Sequence, residues 1–177
     1  MGCRVVLEAA RVAPERVAGL VLIDGSQQGS GDPEAAEKNA RAFLEARGFP
    51  AFAEALFGQM FLQESDLSRA IVARALQVPA ENGSALWPRM ARWDATYVED
   101  VLAGLRVPVM AIQSTYLNAQ RKRLPLATGQ SSPWLELLKK KTKNPRIEVL
   151  SGLGHFPQLE AAEKVNRLIS DFAAAGR

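Results

Sequence analysis

An α/β fold built on a parallel sheet is what this sequence predicts, and three observations carry the expectation. Short apolar runs are separated by long stretches of helical periodicity. The separations are far longer than a hairpin needs, so neighbouring strands must be joined by crossovers, which right-handed helices usually supply. The runs at Val17 to Ile23 and Val107 to Ile112 are apolar at almost every position rather than at alternate ones, the pattern of strands covered on both faces.

Taken in order, the chain opens on a helix with Cys3, Val6, Leu7 and Ala10 on one face, and Pro14 marks where it has ended. Such a helix normally follows a turn that receives its first N–H groups, so the expectation is that a preceding segment is missing. The first strand ends in Asp24-Gly25-Ser26. From Asp32 the pattern becomes helical, with Asp32-Pro33 as cap and first turn, Ala36, Ala40, Phe43 and Leu44 on one stripe, and Gly48 and Pro50 closing it. Further helices are expected at about Pro50 to Leu62, Ser65 to Leu76 and Leu86 to Ala103, with a loop over Pro79 to Ser84. The second strand has its proline at the start, where a strand tolerates it. A polar loop from Gln113 to Pro133, a helix from Trp134 to Lys143, a third strand at Arg146 to Leu150 and a C-terminal amphipathic helix carrying Ala161, Ala162, Val165, Leu168, Ile169 and Phe172 complete the reading. Lys139-Lys140-Lys141 reads as a solvated helix end whose cations suit the dipole.

Composition narrows the function classes. The chain has 177 residues, 47% of them hydrophobic and 23% charged, a one-domain length able to form a core. A net charge of +3 is too mild and too dispersed for a nucleic-acid binder. One cysteine excludes an intramolecular disulfide and one histidine excludes a histidine-rich zinc site, so neither metal nor cofactor is expected. No apolar run is long enough to cross a membrane and no signal segment opens the chain, so the expected location is cytoplasmic.

Four stretches then carry a resemblance: Met1 to Ala10; Pro14-Glu15-Arg16-Val17 leading into Leu20-Val21-Leu22-Ile23-Asp24; Val107 to Ile112; and Gly152-Leu153-Gly154-His155-Phe156-Pro157. In order and spacing they resemble the second half of an α/β-hydrolase, over nearly the whole chain. The resemblance implies a partial α/β-hydrolase fold, with residues 1–26 and 101–177 forming the C-terminal part of the core and residues 27–100 a helical cap. It implies a carboxylic-ester hydrolase acting on a small apolar ester. In that family the nucleophile is a serine in a Gly-x-Ser-x-Gly elbow. Met1-Gly2 matches the last two positions, so the serine is expected immediately before residue 1 and Met1 at the position whose N–H helps form the oxyanion hole.

By the same resemblance His155 is the general base. The loop where most relatives carry the acid reads Gln113-Ser114-Thr115-Tyr116-Leu117-Asn118 and has none, so the resemblance implies Asp24, at a strand end where some relatives carry it. The residues alone leave plainer roles open, a loop histidine bonded to backbone and an aspartate shaping a turn before Gly25. Ser26, Ser114 and Ser151 lie just past strand ends but lack an elbow, and Cys3 points into packing. Phe43, Phe49, Phe52, Phe57, Met60, Phe61, Trp87, Met90 and Trp93 make the cap stretch rich in large apolar side chains, as lid core and, together, as the lining of an apolar cavity. The competing expectation is a non-catalytic remnant that binds a small ligand or itself. Either way the unpartnered edge of the first strand predicts a homodimer or larger assembly, with residues from Gly2 to Asp24 at its interface.

Overall fold

The computed structural model describes residues 1–175. It divides into two compact units, one of residues 1–26 and 98–177 and the other of residues 27–97.

The first unit is organised by a parallel sheet of three strands, β1 (Leu20–Ile23), β2 (Val109–Gln113) and β5 (Arg146–Val149), in the order β1-β2-β5. The two pairings align Leu20 with Val109 and Met110 with Arg146. β2 is buried along its whole length, which is why its sequence shows no polar alternation. Its side chains still alternate between faces. Met110 and Ile112 form one core layer with Leu150 and Val165, flanked by Val21, Ile23, Leu168, Ile169 and Phe172. That layer is covered by helix α9 (Ala162–Ala175), whose apolar residues at three- and four-residue spacing make its inner stripe. Helix α1 (Gly2–Val12) packs on β1 and on α6 (Glu99–Gly104), which in turn meets α7 (Pro133–Lys141). Leu7, Leu22, Leu102, Ala111 and Leu138 are completely buried.

The segment from Gln113 to Pro133 corrects the sequence reading. It is not all loop. Strands β3 (Thr115–Leu117) and β4 (Arg123–Pro125) pair antiparallel, a hairpin that the three-strand expectation omitted. Asn118 closes it, its side chain accepting from the N–H groups of Gln120 at 3.0 Å and Lys122 at 2.9 Å. A three-residue strand is too short for periodicity to reveal, and the cations Arg121-Lys122-Arg123 mask it further. Nor is the Lys139 to Lys141 run wholly solvated, because Lys141 pairs with Glu99 at 2.6 Å.

The second unit is helical: α2 (Pro33–Glu45), α3 (Phe49–Gly58), α4 (Asp66–Leu76) and α5 (Ala80–Trp93), followed by a wider π-helical turn over Asp94–Val98 that leads to α6. Asp32 caps α2 by accepting from the N–H of Ala35, and Ser65 and Ser68 cap α4 reciprocally. The loop expected over Pro79 to Ser84 is instead the first turn and a half of α5. Gly83, within that stretch, is buried under the ring of Phe49, where any larger side chain would overlap it, so packing overrides its weak helix propensity. Phe52 is the centre of the aromatic core, 4.8 Å from Trp87 and 6.2 Å from Phe43 by ring centroids. Buried Asp94 accepts from the backbone N–H of Gln28 at 2.5 Å and so ties the two ends of this unit together.

Candidate active site

Every sequence-predicted polar site residue lies in the first unit, at or beyond the C-terminal ends of the parallel strands, where loops from separate strands converge. β1 ends at Asp24, whose backbone N–H still bonds to the carbonyl of Ile112 at 2.8 Å before the chain turns with a φ of 45°. That left-handed conformation is uncommon for a residue with a Cβ, though aspartate tolerates it better than most. Gly25 follows because the indole of Trp134 occupies the place of a Cβ. The turn aims the Asp24 carboxylate along the strand ends, and its side chain is fully buried.

Donors surround that carboxylate. Oδ1 accepts from the backbone N–H groups of Ser114 at 2.8 Å and Thr115 at 2.7 Å. Oδ2 accepts from Thr115 Oγ1 at 2.5 Å, from Arg123 Nη1 at 2.9 Å and from His155 Nδ1 at 2.6 Å. Ser114 Oγ lies 3.2 Å from Oδ1 but 2.6 Å from the carbonyl of Gly154, and its single proton goes to the shorter contact. Gln113 braces the turn from behind, its Nε2 donating to the carbonyls of Gly25 at 2.9 Å and Thr115 at 2.7 Å.

His155 arrives on the loop after β5. Gly152 makes the turn at a φ of 79°, Gly154 donates its N–H to Glu160 at 3.0 Å, and the imidazole packs edge-on against Phe156. The structure therefore brings Asp24 and His155 into direct contact, 131 residues apart in the chain. With Asp24 ionised, Nδ1 must carry the proton of the neutral ring, which leaves the lone pair on Nε2. Such an arrangement can accept a proton at Nε2 and return it.

The electrostatics follow from burial and partners. Burial alone would push the Asp24 carboxyl up, but the hydrogen bond and charge of His155 and the bonds from Thr115 outweigh it and hold Asp24 below the usual carboxylate range. Burial pushes the His155 imidazole below its ordinary value, and Asp24 only partly offsets this because the cations of Arg123 and the α-amino group add to the lowering. Both effects make acid destabilising. An unfolded histidine takes up a proton below about pH 6.5 that folded His155 refuses, so its contribution is present above that pH and declines below it. Asp24 adds a second loss, present above about pH 4 and lost as the pH falls through its depressed folded value. The thermal midpoint is expected to drop between about pH 7 and 5, and His155→Asn should flatten that limb. An equal slope in the variant would remove His155 as the cause.

The other candidates sit elsewhere. Met1 is the exposed cap residue of α1, its carbonyl accepting from the N–H of Arg4 at 2.9 Å. Ser114 is completely buried with its hydroxyl committed, Ser151 pairs with Thr128 at 2.8 Å, and the carbonyl of Ser26 receives Arg4 Nη2 at 2.9 Å. Among the described residues none of these serines has a positive φ. The Cys3 thiol donates to the carbonyl of Ile23 at 3.4 Å, and burial pushes it up, so it is held as a neutral thiol and not as a nucleophile. Sequence reasoning missed Arg123 and Thr115, and weighed Ser114 only as a substitute nucleophile, not as a donor to Asp24. The available signal was an acid-free loop followed closely by a cationic stretch.

Comparison with known proteins agrees with this arrangement of strands and helices. A family model described as the alpha/beta hydrolase family matches residues 1–168. A thermophilic esterase from Thermogutta terrifontis superposes with a TM-score of 0.72 at 23% identity, over 99% of this chain and 62% of that one. The enol-lactonase from Burkholderia xenovorans LB400 gives 0.63 at 18%, over 95% and 60%, and Est816, an N-acyl homoserine lactone degrading enzyme, gives 0.66 at 19%, over 97% and 64%. The chain thus spans about three-fifths of the length of these structures. No curated protein sequence matches it.

Proposed function

Because the chain belongs to the alpha/beta hydrolase family, we propose that it carries the acid–base part of a carboxylic-ester hydrolase site, with His155 as general base and acid and Asp24 as the carboxylate that orients it. The observation that carries this is the 2.6 Å contact between His155 Nδ1 and Asp24 Oδ2 within a buried ring of donors. In the reaction, Nε2 takes the proton of the attacking hydroxyl as the carbonyl carbon is attacked, then returns it to the leaving alkoxide. Asp24 stays ionised and steadies the imidazolium. Met1 is proposed to present its N–H to the developing oxyanion, and an apolar acyl group is the proposed substrate because the helical unit is rich in aromatic side chains. Residues 27–97 are proposed as the cap. No helix among the described residues is long and apolar enough to cross a membrane, and a cytoplasmic location is part of the proposal. The test is hydrolysis of p-nitrophenyl butyrate by this chain beside His155→Ala. Turnover that vanishes in the variant supports the reading, and equal turnover in both removes it.

One observation favours a second reading, a self-associating module. β1 stands at the edge of its sheet, and Val5 and Val12 of α1, which packs on β1, are about 60% exposed. An uncharged apolar edge strand readily pairs with another chain. A homodimer joined through residues Gly2 to Asp24 is the expected species. Light scattering coupled to size exclusion should give twice the 19.2 kDa chain mass, and a clean monomer at low micromolar concentration would refute it.

A further inference from the structure

The donor set around Asp24 contains a group that a simple acid–base pair does not need. Arg123 reaches the carboxylate from β4, and its side chain is 4% exposed beside an Asp24 side chain that is 0% exposed. Nη1 donates both to Asp24 Oδ2 at 2.9 Å and to Thr115 Oγ1 at 2.6 Å, and the Thr115 hydroxyl in turn donates a hydrogen bond to the same Oδ2. The arginine therefore grips the oxygen that His155 also contacts, directly and through one hydroxyl.

Burying a guanidinium is costly, and the carboxylate is what offsets it. The charge of Asp24 is consequently already balanced before His155 is considered. A protonated imidazole would be a second buried cation sharing one anion, whereas a neutral imidazole leaves the cluster balanced.

We propose that Arg123 is a positioning residue for the pair: by balancing and fixing the Asp24 carboxylate from the β3–β4 hairpin, it keeps His155 in its uncharged, proton-accepting form under mildly acidic conditions. The inference rests on the reading of Asp24 and His155 as acid and base given above. Its consequence is a base that stays competent at lower pH than an aspartate-paired histidine with no such cation. The charged groups acting on the ring are Asp24 after β1, Arg123 on β4 and the α-amino group at the head of α1. Glu160, at the end of the short helix α8 (Pro157–Glu160), acts on the backbone of the same loop through the N–H of Gly154, and Cys3 of α1 stays a neutral thiol.

His155 is the single histidine, so its ring can be titrated without assignment by long-range proton–nitrogen correlation on the uniformly nitrogen-15-labelled chain. In the wild type the titration midpoint should lie below the ordinary histidine value of about 6.5. Arg123→Gln should move it upward, while Arg123→Lys, which keeps the cation, should leave it near the wild type. A wild-type midpoint at or above the ordinary value overturns the proposal without any variant. So does an Arg123→Gln midpoint equal to the wild type, or an Arg123→Lys midpoint displaced as far as that of the glutamine variant. Should the glutamine variant not fold, Arg123→Met, uncharged and of similar length, takes its place with the same two outcomes. Neither readout depends on turnover: a chain that titrates as expected yet shows no His155-dependent ester hydrolysis keeps the role of Arg123 and loses the hydrolase reading.

Discussion

Asp24→Ala is expected to remove roughly 3–5 kcal/mol of stability, the cost of leaving one member of a buried ion pair without its partner. The carboxylate is the common acceptor for Arg123, Thr115, His155 and the backbone N–H groups of Ser114 and Thr115, so truncation strands all of them at once. A loss of that size is a large share of the roughly 5–15 kcal/mol that holds an ordinary domain together. Asp24→Asn should be less damaging but not neutral, since one end of the amide then presents donors where donors already point. The diagnostic comparison is the double variant Asp24→Ala with Arg123→Met. If the cost comes from the stranded guanidinium, removing it as well should recover part of the loss, measured as the urea midpoint at unchanged slope. A single variant within about 0.5 kcal/mol of the wild type, the range of an ordinary surface change, would mean that the carboxylate does not organise this corner of the fold.

Ester hydrolysis by this chain should run several orders of magnitude below that of a complete Ser-His-Asp triad, on the order of 10³- to 10⁶-fold, while still depending on His155. The proposed base and its orienting acid, His155 and Asp24, are in contact, but none of Ser26, Ser114 and Ser151 occupies a strained strand-to-helix elbow. What remains is a neutral imidazole able to assist water at an activated ester. A fluorophosphonate probe should accordingly leave no stoichiometric serine adduct in the intact-mass spectrum. A single labelled serine would overturn this expectation, and peptide mapping would then identify an unrecognised nucleophile. Burst kinetics would point the same way, because an acyl intermediate requires a nucleophile that holds it.

Much of this protein was settled by local sequence, and the residues show why. The strands at β1, β2 and β5 are legible because burial on both faces demands uninterrupted apolar residues, and their parallel pairing is legible because only long crossovers separate them. His155 stood out as the sole histidine in a glycine-rich turn, and the resemblance to α/β-hydrolases directed attention to Asp24. Other features depended on contacts between distant segments. Gly83 sits inside a helix because Phe49 needs its missing side chain, a fact about packing that propensity cannot carry. The β3–β4 hairpin is held by three residue pairs and a side-chain turn at Asn118, too short to leave a period in the sequence. Arg123 read only as one cation among three, and nothing near it in the chain distinguishes a buried arginine from a solvated one. Its meaning came from a carboxylate 99 residues earlier in the chain. A side chain's periodicity and turn chemistry are properties of its neighbours in sequence, and so the sequence by itself determined the three parallel strands and the histidine loop. The charge state and orientation of a buried group are set by whatever the fold brings within a few ångströms, and for Asp24, Arg123 and His155 only the tertiary structure decided that.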